Sequence, residues 1–526
     1  MGTMTTAAAA QEQVVPDRGR RLLILGVTST AFLMTGLDST ALNIALPSIQ
    51  NSFHSSLSGL QWVVDAYTLV LASLLMLAGS TADRFGRRRI FQVGQVLFTL
   101  GSLLCALAPS VQLLIFFRAL QAIGGAMLNP VSNAIARDTF RDPRDRARAF
   151  GVMAAMVGLS MALGPVLGGF LVAATSWRMI FVINLPVGVA AVVLTALFVP
   201  ESRAPQARRF DPVGQVLVIA GLASLTYGII ESGQAGFGTV RIMALMACSA
   251  ACFVALVLYE LRRRQPLLEV RFFTSLPFAG AIATAVCQAG AVGGFLFINT
   301  LYLEEVRGFS ALHTALCMLP MAITMSVCAP LSGRMTGRFG PRPSLTAGGL
   351  SVLAGGLMLT SLGPGTPVPY LIGAFVLLGL GSALITPPIT NVSVSLMPPA
   401  QAGVAAALTT TSRQSGQTLG VALFGAVAGS GASDRLGPAF VQNTHPLWWI
   451  VAAVGLGTVA IDRLTSTRWA LGTAQRAAER LQEPDGQDLQ PPGAHLDRAR
   501  PGECRAERRH IGDGEDGRQG RTNDND

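Results

Sequence analysis

Of 526 residues, 51% are hydrophobic and only 13% are charged, with a positive mean hydropathy, a balance that places most of the chain in lipid. The net charge of +10 is carried by arginine, and the absence of any lysine excludes a Gly-x-x-x-x-Gly-Lys phosphate loop and lysine Schiff-base chemistry. The arginines sit in short polar stretches beside apolar runs, which is the orientation bias of a membrane protein, so nucleic acid is not an expected partner.

In chain order, residues 1–21 are polar and end in Arg18, Arg20 and Arg21, a basic flank that predicts a cytoplasmic N-terminal segment. The run that follows continues to Pro47 with no small-residue cleavage site before Asp38, so it reads as a retained helix rather than a signal peptide. Apolar spans are expected at about 22–46, 61–81, 90–108, 111–132, 149–173, 180–199, 213–231, 241–260, 278–302, 312–332, 345–363, 368–388, 402–428 and 447–464, fourteen in all. Arg84 to Arg89, Arg137 to Arg148, Arg203 to Arg209, Arg262 to Arg271 and Arg334 to Arg342 then fall on one side of the membrane. The opposite loops hold few arginines, Arg178, Arg241, Arg307 and Arg435, so both termini are expected in the cytoplasm and the protein in the cytoplasmic (inner) membrane. From about Thr467 the composition turns polar, with Pro, Gly and Gln. A short piece near Ala474 to Leu481 reads as helical, and residues 465–526 otherwise as a disordered cytoplasmic tail.

The stretch Gly79-Ser-Thr-Ala-Asp83-Arg84-Phe-Gly86-Arg87-Arg88-Arg89 packs four arginines and one acid into eleven residues between two spans, as a tight cytoplasmic turn requires. A second copy begins 254 positions later at Gly333, with Arg338, Phe339, Gly340 and Arg342 matching Arg84, Phe85, Gly86 and Arg88. The chain therefore divides into a six-helix half at 22–199, an inserted helix pair with linkers at 200–277, and a second six-helix half at 278–464. Internal repeats of this kind are the ground plan of secondary transporters, with the substrate held between the halves.

Several polar residues are stranded inside spans. Asp38, in Leu37-Asp38-Ser39-Thr40-Ala-Leu-Asn43-Ile-Ala45-Leu-Pro47, costs about 2.5–3.5 kcal/mol to bury on insertion scales and should face the bundle interior. Desolvation disfavours its charged form, so the residues alone allow proton or substrate handling there, or a fixed ion pair. Asp65 either faces the outer vestibule or serves as an acid in the first turn of the second span. Arg118 stays protonated and needs an acid or carbonyl partner, which makes it a tuner of Asp38 or Asp65. Arg413, beside Gln414 and Gln417, lines a pocket or pairs structurally; Asn43, Gln121, Asn129, Gln288 and Asn299 are further candidate pocket residues. Ser160, Gly164 and Gly168 recur at intervals of four on the fifth span, with Gly158, Pro165 and Gly169 beside them, a close-packed and bendable seam. Neither the seven cysteines nor the five histidines show a metal spacing, and no metal, cofactor or enzymatic constellation is expected.

Taken together, Gly79 to Arg89, Arg118 to Gly125 and Gly158 to Gly169 resemble three signature motifs of the major facilitator superfamily, the last being its antiporter motif. With Leu37 to Pro47, Trp177 to Gly188, Ser412 to Gly420 and the expected spans, the chain is similar to the fourteen-helix drug:proton antiporters over about residues 20–465. The resemblance implies an all-α polytopic fold in which Asp83 locks the cytoplasmic face against a helix end of the opposite half. It also implies that Arg118 takes part in proton coupling. Two departures are Gly337, where the second loop copy would hold an acid, and Ala122, where a glycine usually follows the glutamine. The expected function is export of a small organic molecule by a monomer, with proton and cargo competing for one buried carboxylate; uptake by symport is the rival reading.

Overall fold

The computed structural model describes residues 18–140, 142–203, 210–263, 268–395, 397, 401–429 and 438–482, so most of the expected terminal segments lies outside the described residues. The described chain is helical throughout. The first half comprises α1 (Arg18–Phe53), α2 (Leu57–Phe85), α3 (Arg87–Ala106), α4 (Val111–Thr139), α5 (Pro143–Ala174), the short α6 (Met179–Val182) and α7 (Asn184–Phe198). The inserted pair is α8 (Pro212–Ala235) and α9 (Val240–Glu260). The second half comprises α10 (Leu276–Leu301), α11 (Ala311–Phe339), α12 (Pro341–Leu359), α13 (Val368–Ser395), α14 (Ala402–Gly429) and α15 (Pro438–Thr465), and α16 (Arg468–Gln482) follows.

Local sequence sets where these helices start. Ser56, Ser110 and Ser310 accept from the backbone amides of Gly59, Leu113 and His313, while Asp142 and Asp211 cap α5 and α8 just ahead of Pro143 and Pro212. Gly86 and Gly340 end α2 and α11 with φ of 114° and 81°, donating to the carbonyls of Ala82 and Thr336, and the next helix begins at once. Positive φ at both positions explains why the repeat keeps glycine there.

Among the described residues, twelve helices are long and apolar enough to cross a bilayer, α6 and α7 counting together as one. The other two expected spans form as α12 and α14 but fall outside that apolar class. Helix α12 packs against α13 and α15 while Leu350 and Leu357 on it stay exposed, and α14 packs against α10, α2 and α8. The helix expected near Ala474 starts earlier, at Arg468. Ala470, Ala474 and Ala477 form its buried stripe, and Thr473 Oγ1 accepts from the Leu276 amide at 2.9 Å.

The two halves meet along a doubled seam, α5 against α11 and α14 against α2. The 254-residue offset carries Leu57, the start of α2, onto Ala311, the start of α11, and α5 onto α14, so the two contacts are copies of each other. The inserted α8 stands over the α2–α14 side: Gln215 Nε2 donates to the Ser73 carbonyl at 2.6 Å, and Gly233 abuts Ala426.

Candidate functional site

Inside the first half, four helices bring polar side chains to one water-free point. Asp38 of α1 accepts through Oδ2 from Arg118 Nη1 of α4 at 2.5 Å, and through Oδ1 from Gln121 Nε2 at 2.8 Å and Asn184 Nδ2 of α7 at 3.3 Å. Arg118 also donates to Gln121 Oε1 at 2.7 Å and to the Val63 carbonyl at 3.3 Å, with its guanidinium 4.2 Å from the centre of the Tyr67 ring. Gln121 Nε2 donates further to Ser102 Oγ of α3 at 2.8 Å. Asp38 and Arg118 are each 1% exposed. Several hydrogen bonds support this deep ion pair, and removing one partner strands the other charge at about 3–5 kcal/mol.

Asp38 is thus ion-paired with Arg118, and its carboxylate is shut away from the opening between the halves. Proton and cargo therefore do not meet at one exposed carboxylate in this conformation. Asp65 lies well beyond the first turn of α2, since that helix begins at Leu57. Fully buried, it touches Thr68 Oγ1 at 3.4 Å, and its Oδ2 has no partner. Arg118 thus serves Asp38 and forms no ion pair with Asp65.

The antiporter-motif helix does what its spacing predicts. Ser160 meets Gly36, Gly164 meets Thr40 and Gly168 meets Ala41, so one ridge of α5 lies against α1, and Thr40 Oγ1 donates to the Ser160 carbonyl at 3.2 Å. Gly158 and Gly169 turn to the other half, where Ser326 Oγ of α11 donates to the Gly158 carbonyl at 3.1 Å and a Cβ on Gly169 would stand 2.7 Å from the Ala311 carbonyl. Helix α5 continues through the buried Pro165.

The remaining contacts between halves show which end is closed. At the end away from the Gly86 and Gly340 turns, Gln61 Nε2 donates to the Ala422 carbonyl at 2.8 Å, and Asn51 Nδ2 to Glu305 Oε1 at 3.5 Å. Thr418 Oγ1 donates to Thr68 Oγ1 at 2.9 Å about halfway along. Among the described residues, the Ser326–Gly158 bond on the α5–α11 side lies a little nearer the turns than that level, and no hydrogen bond or ion pair joins the halves closer to the turns than it. The bundle is open at the turn end.

At that open end Asp83 pairs with Arg87 at 2.7 Å, and Arg87 also pairs with Asp138 at the end of α4, all within the first half. The Arg88 amide donates to Glu201 Oε1 at 3.1 Å, and a Cβ on Gly86 would collide with that carboxylate. Arg84 is exposed, and Gly79 passes beneath Pro130. The polar candidates scatter. Asn43 is buried and donates to the Ser39 carbonyl, while Asn129 accepts from Thr35 at 3.4 Å. In the second half, Gln288 donates to Ser382 Oγ at 2.9 Å, both lining a small pocket, and both amide atoms of Asn299 are buried without a partner. Arg413 is exposed on α14, with Gln414 and Gln417 part-buried beside it. Sequence reasoning missed Ser102, Asn184, Tyr67, Asp138 and Glu201. Only Asn184 carried a signal, as an amide side chain beside Pro186 at the start of an apolar run.

The sequence profile of the Major Facilitator Superfamily matches residues 28–421. The chain belongs to that superfamily. As a facilitator it is a multi-pass membrane transport protein and not an enzyme. It is 37% identical over 418 residues to a multidrug resistance protein, Stp, of Mycobacterium tuberculosis, covering 80% of this chain and 78% of that one. It is 36% identical to a tetracenomycin C resistance and export protein of Streptomyces glaucescens (79% and 78% covered) and 33% identical to a methylenomycin A resistance protein of Streptomyces coelicolor (81% and 90%). Among solved facilitators, a bacterial homologue of the lysosomal transporter Spinster, inward-facing and unoccupied, superposes with a TM-score of 0.58 at 18% identity, covering 89% of this chain and 100% of that one. A peptide transporter in complex with sulfate gives 0.62 at 14% identity, with 87% and 95% covered. At such identities the likeness establishes the fold.

In chemical terms, this facilitator holds a carboxylate whose two oxygens tie together α1, α4 and α7. Protonating Asp38 turns one acceptor into a donor, which breaks at least one of those bonds and leaves Arg118 seeking another partner.

Proposed function

We propose that the protein is a proton-driven exporter of small organic molecules, built from six helices, an inserted pair and six more, fourteen crossings of the cytoplasmic membrane with both termini inside. The arginine-rich turns at Gly86 and Gly340 then face the cytoplasm, and the open end receives cargo from within. Named resistance and export proteins among its relatives support the direction of transport.

The observation that carries the coupling is the sealed Asp38–Arg118 pair, packed against α5 through Thr40 and Ala41. Asp65 lies on the closed side of the Thr68–Thr418 bond, where α2 and α14 would part when the far end opens. A proton entering from outside reaches Asp65 first and Asp38 next, while cargo occupies the opening on the other side of that bond. Proton and cargo sites are separate and communicate through the seam. In this conformation Asp83 rests on Arg87, and its lock against the opposite half engages when the turn end closes. One proton moving down 100 mV yields about 2.3 kcal/mol, enough for roughly a fiftyfold gradient of a neutral solute.

Everted membrane vesicles test this directly. Acidifying their interior should drive uptake of a transported drug, and collapsing the proton gradient should release it. Uptake that proceeds equally well without a proton gradient, or accumulation of the drug by intact cells, would overturn the reading.

A further inference from the structure

We infer that the cargo site recognises an organic anion, held by Arg413. The inference rests on the export reading and adds the charge of what is exported. Helix α14 touches α10 through Gly416 and Gly420, α2 through Thr418, Ala422 and Gly425, and α8 through Ala426. At 100° per residue, Thr410 and Arg413 occupy the face between the α10 contacts, which include Gln417 against Gly293, and the α2 contacts, turned from the side that α8 covers. That face looks into the opening between the halves. Thr410 and Arg413 are exposed there, on a helix enclosed by others, about 16 Å from its first residue.

No carboxylate answers this charge. Among the described residues Arg413 makes no ion pair or hydrogen bond. Of the acids inside the bundle, Asp38 is committed to Arg118, and Asp65 lies beyond the Thr68–Thr418 bond, roughly 12 Å along the seam. The corresponding residue of the first half, 254 positions earlier, is Leu159, so the repeat does not require a cation there. A guanidinium in the middle of a membrane bundle carries a large cost unless a counter-charge arrives, and its planar fork suits a carboxylate, phenolate or sulfonate. Thr410 and Gln414 offer neutral hydrogen bonds to the rest of an amphiphilic molecule. An anion leaving as a proton enters also moves more than one elementary charge per turnover, so membrane potential alone should drive export.

The test uses fluorescein and pyronin Y, xanthene dyes of one ring system and opposite charge. With the purified full chain in lipid nanodiscs, fluorescein should bind saturably, Arg413→Gln should weaken it about tenfold or more, and Arg413→Lys should fall between. Arg413→Gln should melt no lower than the parent, since it removes an unpaired charge. Fluorescein binding within about twofold of the parent in Arg413→Gln, preference of the parent for pyronin Y, or no saturable fluorescein binding by the parent would each overturn the assignment. In energised everted vesicles, fluorescein that binds through Arg413 but is not accumulated leaves the anion site standing and removes export. Accumulation of pyronin Y alone does the reverse.

Discussion

Asp38 shows how far a single residue can be read. Its place in an apolar run made it an interior acid, and Arg118 in another run made it a matching cation, because an unpaired charge in lipid is too costly to keep. What the run could not show is that Ser102 and Asn184 complete the cluster, since bonds across 19 and 146 positions exist only once α3, α4, α1 and α7 pack. Asp38→Asn is expected to lower stability by about 3–5 kcal/mol, by stranding Arg118, and to abolish proton-driven transport. The pair Asp38→Asn with Arg118→Gln should regain most of the stability while transport stays absent; thermal unfolding and vesicle uptake separate the two effects. Asp65→Asn, which breaks no ion pair, should leave stability nearly unchanged and uncouple uptake from the proton gradient. Uptake that keeps its full proton dependence would remove Asp65 from the path.

Helices show a different division. The four-residue rhythm of Ser160, Gly164 and Gly168 was legible because an α-helix stacks such positions on one side, but the partner was not: α1 takes that ridge, while Gly158 and Gly169 serve α11. Gly168→Leu should therefore wedge α1 from α5 and abolish transport even where the protein still reaches the membrane, read by surface expression beside vesicle uptake. The two turn glycines offer a paired test. Both have positive φ, but a Cβ on Gly86 meets the Glu201 carboxylate, whereas one on Gly340 meets nothing within 4 Å. Gly340→Ala should cost about 1–2 kcal/mol of backbone strain, and Gly86→Ala measurably more. Equal losses in thermal unfolding would mean that the Glu201 contact is unimportant. Apolarity alone misleads for α12 and α14, since both form as helices where the sequence places spans although neither reaches the apolar class.

Across the whole molecule, the repeat copies architecture without copying charge. Asp38, Ser102, Arg118 and Gln121 correspond at the 254-residue offset to Val292, Gly356, Ile372 and Phe375, so this ion-pair cluster belongs to one half and the matching positions of the other are apolar. The doubled seam closes at the far end through Gln61 and Ala422, with Leu57 against Gly429. Cysteines at positions 57 and 429, joined by a short bifunctional maleimide, should hold that end shut and stop export. Continued export by the cross-linked protein would show that the far end need not open.

The amino-acid sequence determined the membrane setting, the turn glycines and the interior placement of Asp38 and Arg118, because burying charge and satisfying helical backbone in lipid are local demands. Only the tertiary structure decided that Asp38 is sealed while Arg413 is open, and that the halves are closed at one end. Those outcomes depend on which helix faces which, and periodicity within a single helix carries no record of its partners.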